Sequence, residues 1–375
     1  MRYPLMRTAY LVSLKYSPVF LMICRERARV IQVRLPVTML LSRGYTALGG
    51  AGGQTHYLTT STSAASMVLD TVTLSTIRAP ALYRLFQNDP PALVLFENPH
   101  PANVVVAVLA KLACRDTLVV PVLHEPYKAD QRVYGLSKSV YISLVELCQS
   151  ALIRLAGAVV VPSTTAAGVF SERYPGFKRP VIRIPLPFER CETPESERRY
   201  VSFLGHAVKV KGIGRFFQLV EGAAKLSLPY QFQIATSSNI DAYLAALSPE
   251  ARARLRVINE TTLQDVEIQR AAASSICVLA LYETVMQSAV VPVAFMHGTP
   301  VIATDLPGLL EVVTDHETGV IVAQDASMSE IFAAIHSIQN NLAQMEVGCR
   351  EAFERHYGDE VVRQATRALL DLVHS

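Results

Sequence analysis

No apolar run in the 375 residues reaches the roughly 20 uninterrupted positions that a membrane-spanning helix requires. The most apolar early stretch, residues 19–41, is broken by Arg25, Glu26, Arg27, Arg29, Arg34 and Pro36, and no A-x-A-like cleavage site follows a clean apolar core. These absences predict a chain that stays in the cytoplasm. Cysteine is sparse: Cys24, Cys114, Cys148, Cys191, Cys277 and Cys349 include no C-x-x-C pair and have no histidine at metal spacing, which argues against zinc and against a disulfide framework and for reduced core thiols. Charge is also low, at 18% of residues, which excludes a disordered chain. There is no Asp-x-Asp pair, no carboxylate cluster at metal spacing, no Gly-Lys-Ser/Thr loop and no G-x-S-x-G elbow. The metal expectation is therefore none.

Half of the residues are hydrophobic, enough for large buried cores, and the length suggests two domains at about 150 residues each. Short runs rich in Val, Ile and Leu alternate with helix-length segments, the pattern of βα units around parallel sheets. Buried strands are expected at 8–13, 92–97, 117–124, 158–162, 181–185, 200–205, 231–236, 276–280, 300–305 and 319–322. Helices are expected at 102–113, 139–155, 213–224, 290–297 and 328–341. The fold class is α/β, a doubly wound plan used twice.

The segment PLPFERCETPESERR at 185–199 is dense in proline and charge, as a linker should be. The expected division is thus residues 1–187, a linker at 188–199, residues 200–357, and a final helix at 358–375 packing back on the first domain. Two doubly wound domains facing one another make a central cleft, because ligands of such sheets sit beyond the carboxyl ends of the strands. Eight basic residues (Arg2, Arg7, Lys15, Arg25, Arg27, Arg29, Arg34, Arg43) against one Glu fall within the first 44 positions. Interleaved with Phe20, Leu21, Met22, Ile23, Val30, Ile31 and Val33, they suit either an amphipathic surface touching anionic lipid or a helix with a solvated basic face.

The most specific pattern runs from Tyr282 to Val322. Glu283 follows a strand, a helix starts near Ser288, and Gly298-Thr299-Pro300 closes that helix before the next strand. A loop feeding a helix start presents unpaired N–H groups suited to a diphosphate. This stretch resembles the donor-binding signature of the family 4 glycosyltransferases, E-x-x-G-x-x-x-x-E-A-M-A-x-G-x-P-V-I-A, in a variant where Gln287-Ser288 precedes the helix. The resemblance implies a GT-B fold, with Glu283 beside the donor sugar and Gln287, Ser288, Ala289 and Val290 near the diphosphate. Counting back from Gly298, the family's second Glu, which holds the nucleotide ribose, falls at Val293, so ribose recognition is weakened or comes from elsewhere.

A second segment, SFLGHAVKVKGIGRFFQLVE at 202–221, resembles the family's strand, Gly-Arg loop and Lys-Gly helix start. The resemblance assigns Lys211, seconded by Lys209, to neutralising the departing diphosphate without a metal. After Gly205 the usual arginine is replaced by His206, fully charged only below a pKa near 6.5, so the clamp weakens near neutral pH. In the first half, His124 resembles the family's histidine at the donor–acceptor boundary, with His100 and Glu125 as weaker candidates. Asp305 and Glu311 follow the next strand of the second half. Ser163 matches a family serine but is read as a helix N-cap. Gly49–Gly53 lacks a phosphate-loop pattern.

The reading is a metal-independent transferase that moves a sugar from a nucleotide-diphosphate sugar to a saccharide or lipid-linked acceptor, and the family resemblance implies that the anomeric configuration is retained. The donor is a substrate and no cofactor is expected. The missing Asp-x-Asp pair disfavours metal-dependent GT-A transferases. Two rivals stand beside it: a GT-B scaffold that has lost catalysis and partners an active transferase, motivated by His206 and Val293, and a nucleotide-sugar epimerase.

Overall fold

The computed structural model describes residues 7–13, 18–41, 54–57, 79–126, 136–191, 197–260, 263 and 265–373. The chain divides into two compact units, Met1–Pro187 with Val362–Ser375, and Phe188–Val361.

The first unit contains β1 (Thr8–Ser13), α1 (Pro18–Ile31), β2 (Val37–Leu41), β3 (Gln54–Tyr57), α2 (Ala79–Asn88), β4 (Pro91–Phe96), α3 (Asn103–Ala113), β5 (Leu118–Pro121), α4 (Leu136–Leu155), β6 (Val159–Val161), α5 (Thr164–Arg173) and β7 (Val181–Arg183). Its parallel sheet has the order β3-β2-β1-β4-β5, and a Val122–Val160 bridge sets the β6–β7 pair beside it. β1 and β4 are buried along their whole length, as parallel strands covered on both faces must be. One face packs on Cys24, Ala28 and Ile31 of α1, and the other on Leu82 and Phe86 of α2, on α3 and on Leu152 of α4.

The second unit contains β8 (Tyr200–Leu204), a 3₁₀ turn at Lys209–Lys211, α6 (Ile213–Lys225), β9 (Gln231–Thr236), α7 (Asp241–Ala245), α8 (Pro249–Ala253), β10 (Leu255–Asn259), α9 (Asp265–Ala273), β11 (Ser275–Ala280), α10 (Val290–Met296), β12 (Val301–Thr304), α11 (Pro307–Leu310), β13 (Gly319–Val322), α12 (Met328–Asn340) and α13 (Leu342–Tyr357). Its sheet is also parallel, in the order β10-β9-β8-β11-β12-β13. A capping box between Ser327 and Glu330 starts α12. α14 (Asp359–Asp371) then contributes Leu369 and Leu370 to the core that holds Ala9, Leu11 and Ile31, and Asp371 pairs with Arg34 at 2.6 Å.

Three strands escape the sequence pattern. β2 lies in the apolar stretch 19–41, where no strand is expected, and a turn at 32–35 before Pro36 splits that stretch into helix and strand. β3 is four residues, QTHY, with no apolar run. β10 is an edge strand with only Leu255 buried, so it carries polar residues where central strands do not.

The basic N-terminal stretch is not one exposed face. Arg27 is 1% exposed in contact with Glu97, Arg29 pairs with Glu26 at 2.7 Å, and Arg34 pairs with Asp371. Arg2, Lys15, Arg43 and the Gly49–Gly53 segment lie outside the described residues. Six unpaired cysteines are present, of which Cys24, Cys277 and Cys349 are buried while Cys114, Cys148 and Cys191 are partly exposed. Among the described residues no helix is long and apolar enough to cross a membrane.

Candidate functional site

In an open parallel sheet, the crevice for a ligand lies where strand order reverses, outside the carboxyl ends of the two strands that part company. In the second unit those strands are β8 and β11, and the residues that follow them are Gly205-His206 and Tyr282-Glu283.

Close backbone packing assembles this region. Gly205 has φ +86°, and a Cβ there would stand 3.3 Å from Val290 at the start of α10. Its N–H donates to the Ala235 carbonyl at 2.9 Å. The Ala207 N–H donates to Ser238 Oγ at 3.0 Å, fixing the loop that exposes His206. Gly212 has φ +78° and ends the Lys209–Lys211 turn. A Cβ at Gly212 would overlap the Leu281 carbonyl oxygen, so only glycine lets the lysine turn lie against the end of β11. The Glu283 N–H donates to the Val210 carbonyl at 2.8 Å, and Lys211 Nζ sits 5.9 Å from the centre of the Tyr282 ring. Lys211 and Glu283 are thus brought together, with Lys209 exposed on the same turn.

Tyr282 is buried, and its hydroxyl lies 3.2 Å from Ser288 Oγ, which in turn accepts the Val290 N–H at 3.2 Å. One of the N–H groups expected to face a diphosphate is therefore occupied by the serine. α10 has no side-chain cap at Ala289 and carries Pro292 in its first turn, where a missing N–H costs nothing. Gln287 and Ser288 are half-buried and Ala289 is exposed on the connecting loop. α11 closes the region: a Cβ on Gly308 would fall 2.7 Å from the Val285 carbonyl oxygen, so this turn also rests on the 283–289 loop. Glu311 caps α11 and is half-buried, and Asp305 is exposed.

Although the ring reaches the surface, partial desolvation by its surroundings lowers the His206 pKa below the ordinary imidazole value, and the nearby Lys211 charge lowers it further. The ring therefore carries less charge at a given pH than an ordinary imidazole. Val293, the position that the resemblance sets at the family's second Glu, is partly buried against the apolar cluster containing Val290, Ala294 and Phe295.

In the first unit the order reverses between β1 and β4. Ser13, at the end of β1, accepts a hydrogen bond from Asn98 Nδ2 at 2.8 Å, and Asn103 Nδ2 donates to the Asn98 carbonyl at 2.7 Å. His124 follows β5 and donates from Nε2 to the Glu97 carbonyl at 3.0 Å. Its pKa is pushed down to about 4, by burial first and by the Arg27 charge second, against the opposing pull of that hydrogen bond. His100 is 4% exposed and its Nδ1 accepts the Ala102 N–H at 3.1 Å, a turn-forming role. Glu125 is exposed. Ser163 caps α5, accepting the Ala166 N–H at 3.0 Å. Arg27 escaped the sequence reading because nothing distinguishes it from the other arginines of α1. The only trace of the pair was a lone Glu97 at the end of an apolar strand.

Two doubly wound units whose sheets reverse at β1/β4 and at β8/β11 define the class, which is the GT-B fold of glycosyltransferases. The chain is similar over 98% of its length to HepE of Anabaena in complex with UDP, at 13% identity, 100% coverage of that chain and a TM-score of 0.72. It is similar over 99% of its length to the pneumococcal O-GlcNAc transferase GtfA in complex with UDP and GlcNAc, at 13% identity, 100% coverage of that chain and a TM-score of 0.72. Sucrose-phosphate synthase from Thermosynechococcus elongatus matches over 98% of this chain and 99% of its own, at 13% identity and a TM-score of 0.68. Comparison with curated proteins gives no sequence match. Residues 198–341, within the second unit, match the family described as glycosyl transferases group 1.

Proposed function

We propose that this chain transfers a sugar from a nucleotide-diphosphate sugar, with UDP the first nucleotide to try, to a saccharide or lipid-linked acceptor in polysaccharide biosynthesis. The observation that carries the reading is the packing of the lysine turn against the end of β11, which sets Lys211 beside Glu283 at the β8/β11 reversal. The complexes of HepE and GtfA with UDP support the choice of nucleotide. Lys211 neutralises charge developing on the departing diphosphate, aided by Lys209 and by donors around Gly205, Gln287 and Ser288, in place of a metal. Glu283 faces the anomeric carbon as it gains positive charge, Glu311 borders the donor, and His124 serves the acceptor side. Transfer proceeds with retention of anomeric configuration, as the family resemblance implies. A membrane contact through the basic N-terminal segment would rest on fewer charges than the sequence displays, since Arg27 is buried against Glu97 and the exposed Arg29 and Arg34 are paired with Glu26 and Asp371.

The packing of a partly buried Val293 against an apolar cluster favours one second reading, a catalytically impaired scaffold that partners an active transferase. A panel of UDP-, GDP- and ADP-sugars separates the two, read by thermal shift and by slow release of free nucleotide without acceptor. Stabilisation with release for one donor supports the transferase, whereas silence across the panel favours the scaffold.

A further inference from the structure

The sheet reversal of the first unit contains a feature that the reaction described above leaves unused. Arg27 of α1 and Glu97 at the end of β4 are 1% and 0% exposed, with Arg27 Nε 2.8 Å from Glu97 Oε1. Beyond that contact, Arg27 Nη1 and Nη2 and Glu97 Oε2 have no hydrogen-bond partner. Such a pair is a poor stabiliser, because removing two charges from water outweighs their attraction unless the remaining donors and acceptors are satisfied. Apolar residues of similar volume usually serve stability as well or better. The position of the pair supplies another reason for its presence, since the backbone carbonyl of Glu97 is the group that receives the His124 Nε2–H at 3.0 Å.

We propose that the Arg27–Glu97 pair is a positioning device for His124, anchoring the Glu97 backbone so that its carbonyl holds the imidazole in one tautomer with the guanidinium charge acting on the ring. The proposal rests on the reading of His124 as an acceptor-side group. A carbonyl only accepts, so Nε2 must carry the proton, and Nδ1 is the acceptor of the neutral ring. Arg27 opposes a second proton in the same direction as burial does. The other charged groups nearby among the described residues are the Glu97 carboxylate, the exposed Glu125, and Arg173 of α5, which donates to the Pro126 carbonyl at 3.0 Å and lies 3.9 Å from Glu146. An imidazole kept neutral in this way keeps one accepting ring nitrogen throughout the physiological range.

The test uses the full chain and an NMR titration of its histidines, with His124 assigned by the signal lost in His124→Gln. Arg27→Met/Glu97→Gln replaces the pair by uncharged side chains of similar size. If that protein does not accumulate, Arg27→Gln alone serves, since an unpaired buried Glu97 takes up a proton. The expected result is an upward move of the His124 midpoint toward the ordinary imidazole range, with the charge-retaining Arg27→Lys staying low. Transfer is expected to fall in kcat while the donor KM is unchanged, most strongly on the acid side. A folded variant with unaltered His124 midpoint and tautomer overturns the proposal whatever its activity. A midpoint that moves while His124→Gln transfers at the unmodified rate upholds the control of the ring by Arg27 and overturns instead the acceptor-side assignment.

Discussion

Glu283 sits exposed on a loop tied by its own N–H to the lysine turn, so its carboxylate can be removed with little cost to the fold. Glu283→Gln is expected to lower kcat by roughly 100-fold or more, the scale of losing one preorganised transition-state contact, with an unchanged melting temperature as the control. Lys211→Ala should do the same and also weaken nucleotide binding, because its charge meets the diphosphate in both ground and transition states. A wild-type rate in either variant would remove the assignment. His206 has a different signature: its pKa lies below the ordinary value, so the charged fraction grows only as pH falls. UDP affinity is therefore expected to tighten on acidification, and His206→Arg to raise affinity near neutral pH and flatten that dependence, both measurable by calorimetric titration.

At the scale of elements, the donor region depends on glycines that permit backbone to touch backbone. Gly308→Ala would place a methyl group within 2.7 Å of the Val285 carbonyl oxygen and 2.8 Å of that of Met286, forcing the 283–289 loop away from α11. The expected consequence is a smaller UDP-induced thermal shift without loss of the fold, and an unchanged shift would show that the loop position does not matter to the nucleotide. The central strands and α10 were legible because continuous Val, Ile and Leu runs bounded by Gly and Pro have few alternatives. β3 and β10 were not, since a short polar strand and a solvent-facing edge strand obtain their structure from pairing rather than from their own pattern. The lysine turn and the loop after β11 were legible as motifs. Their contact was not, because it depends on a carbonyl–glycine approach across two strands that no local spacing encodes. Arg27 and Glu97, 70 positions apart by number, were hidden for the same reason.

For the molecule as a whole, two histidines, one in each unit, couple the fold to acid. His124 and His297 both have pKa values pushed down to about 4, each by burial first; for His124 the Arg27 charge adds to this, and for His297 the charges of Arg190, Arg198 and Arg350 do. His297 Nε2 lies 3.1 Å from Gln269 Oε1, and its carbonyl accepts from Arg198 Nη2 at 2.6 Å. It therefore sits in the polar junction that joins β8, α9 and α13, away from the proposed donor contacts. In the unfolded chain both rings titrate near 6.5, so between that pH and about 4 the unfolded state binds more protons than the native state. Stability then rises with pH across this window and is lost as pH falls through it. Urea unfolding is expected to show midpoints dropping steadily from neutral toward pH 5. His297→Gln, which retains an amide able to bond Gln269, should flatten the drop in the second unit while leaving nucleotide release at neutral pH unaltered. A dependence equally steep in His297→Gln would place the acid sensitivity of that unit in its carboxylates instead.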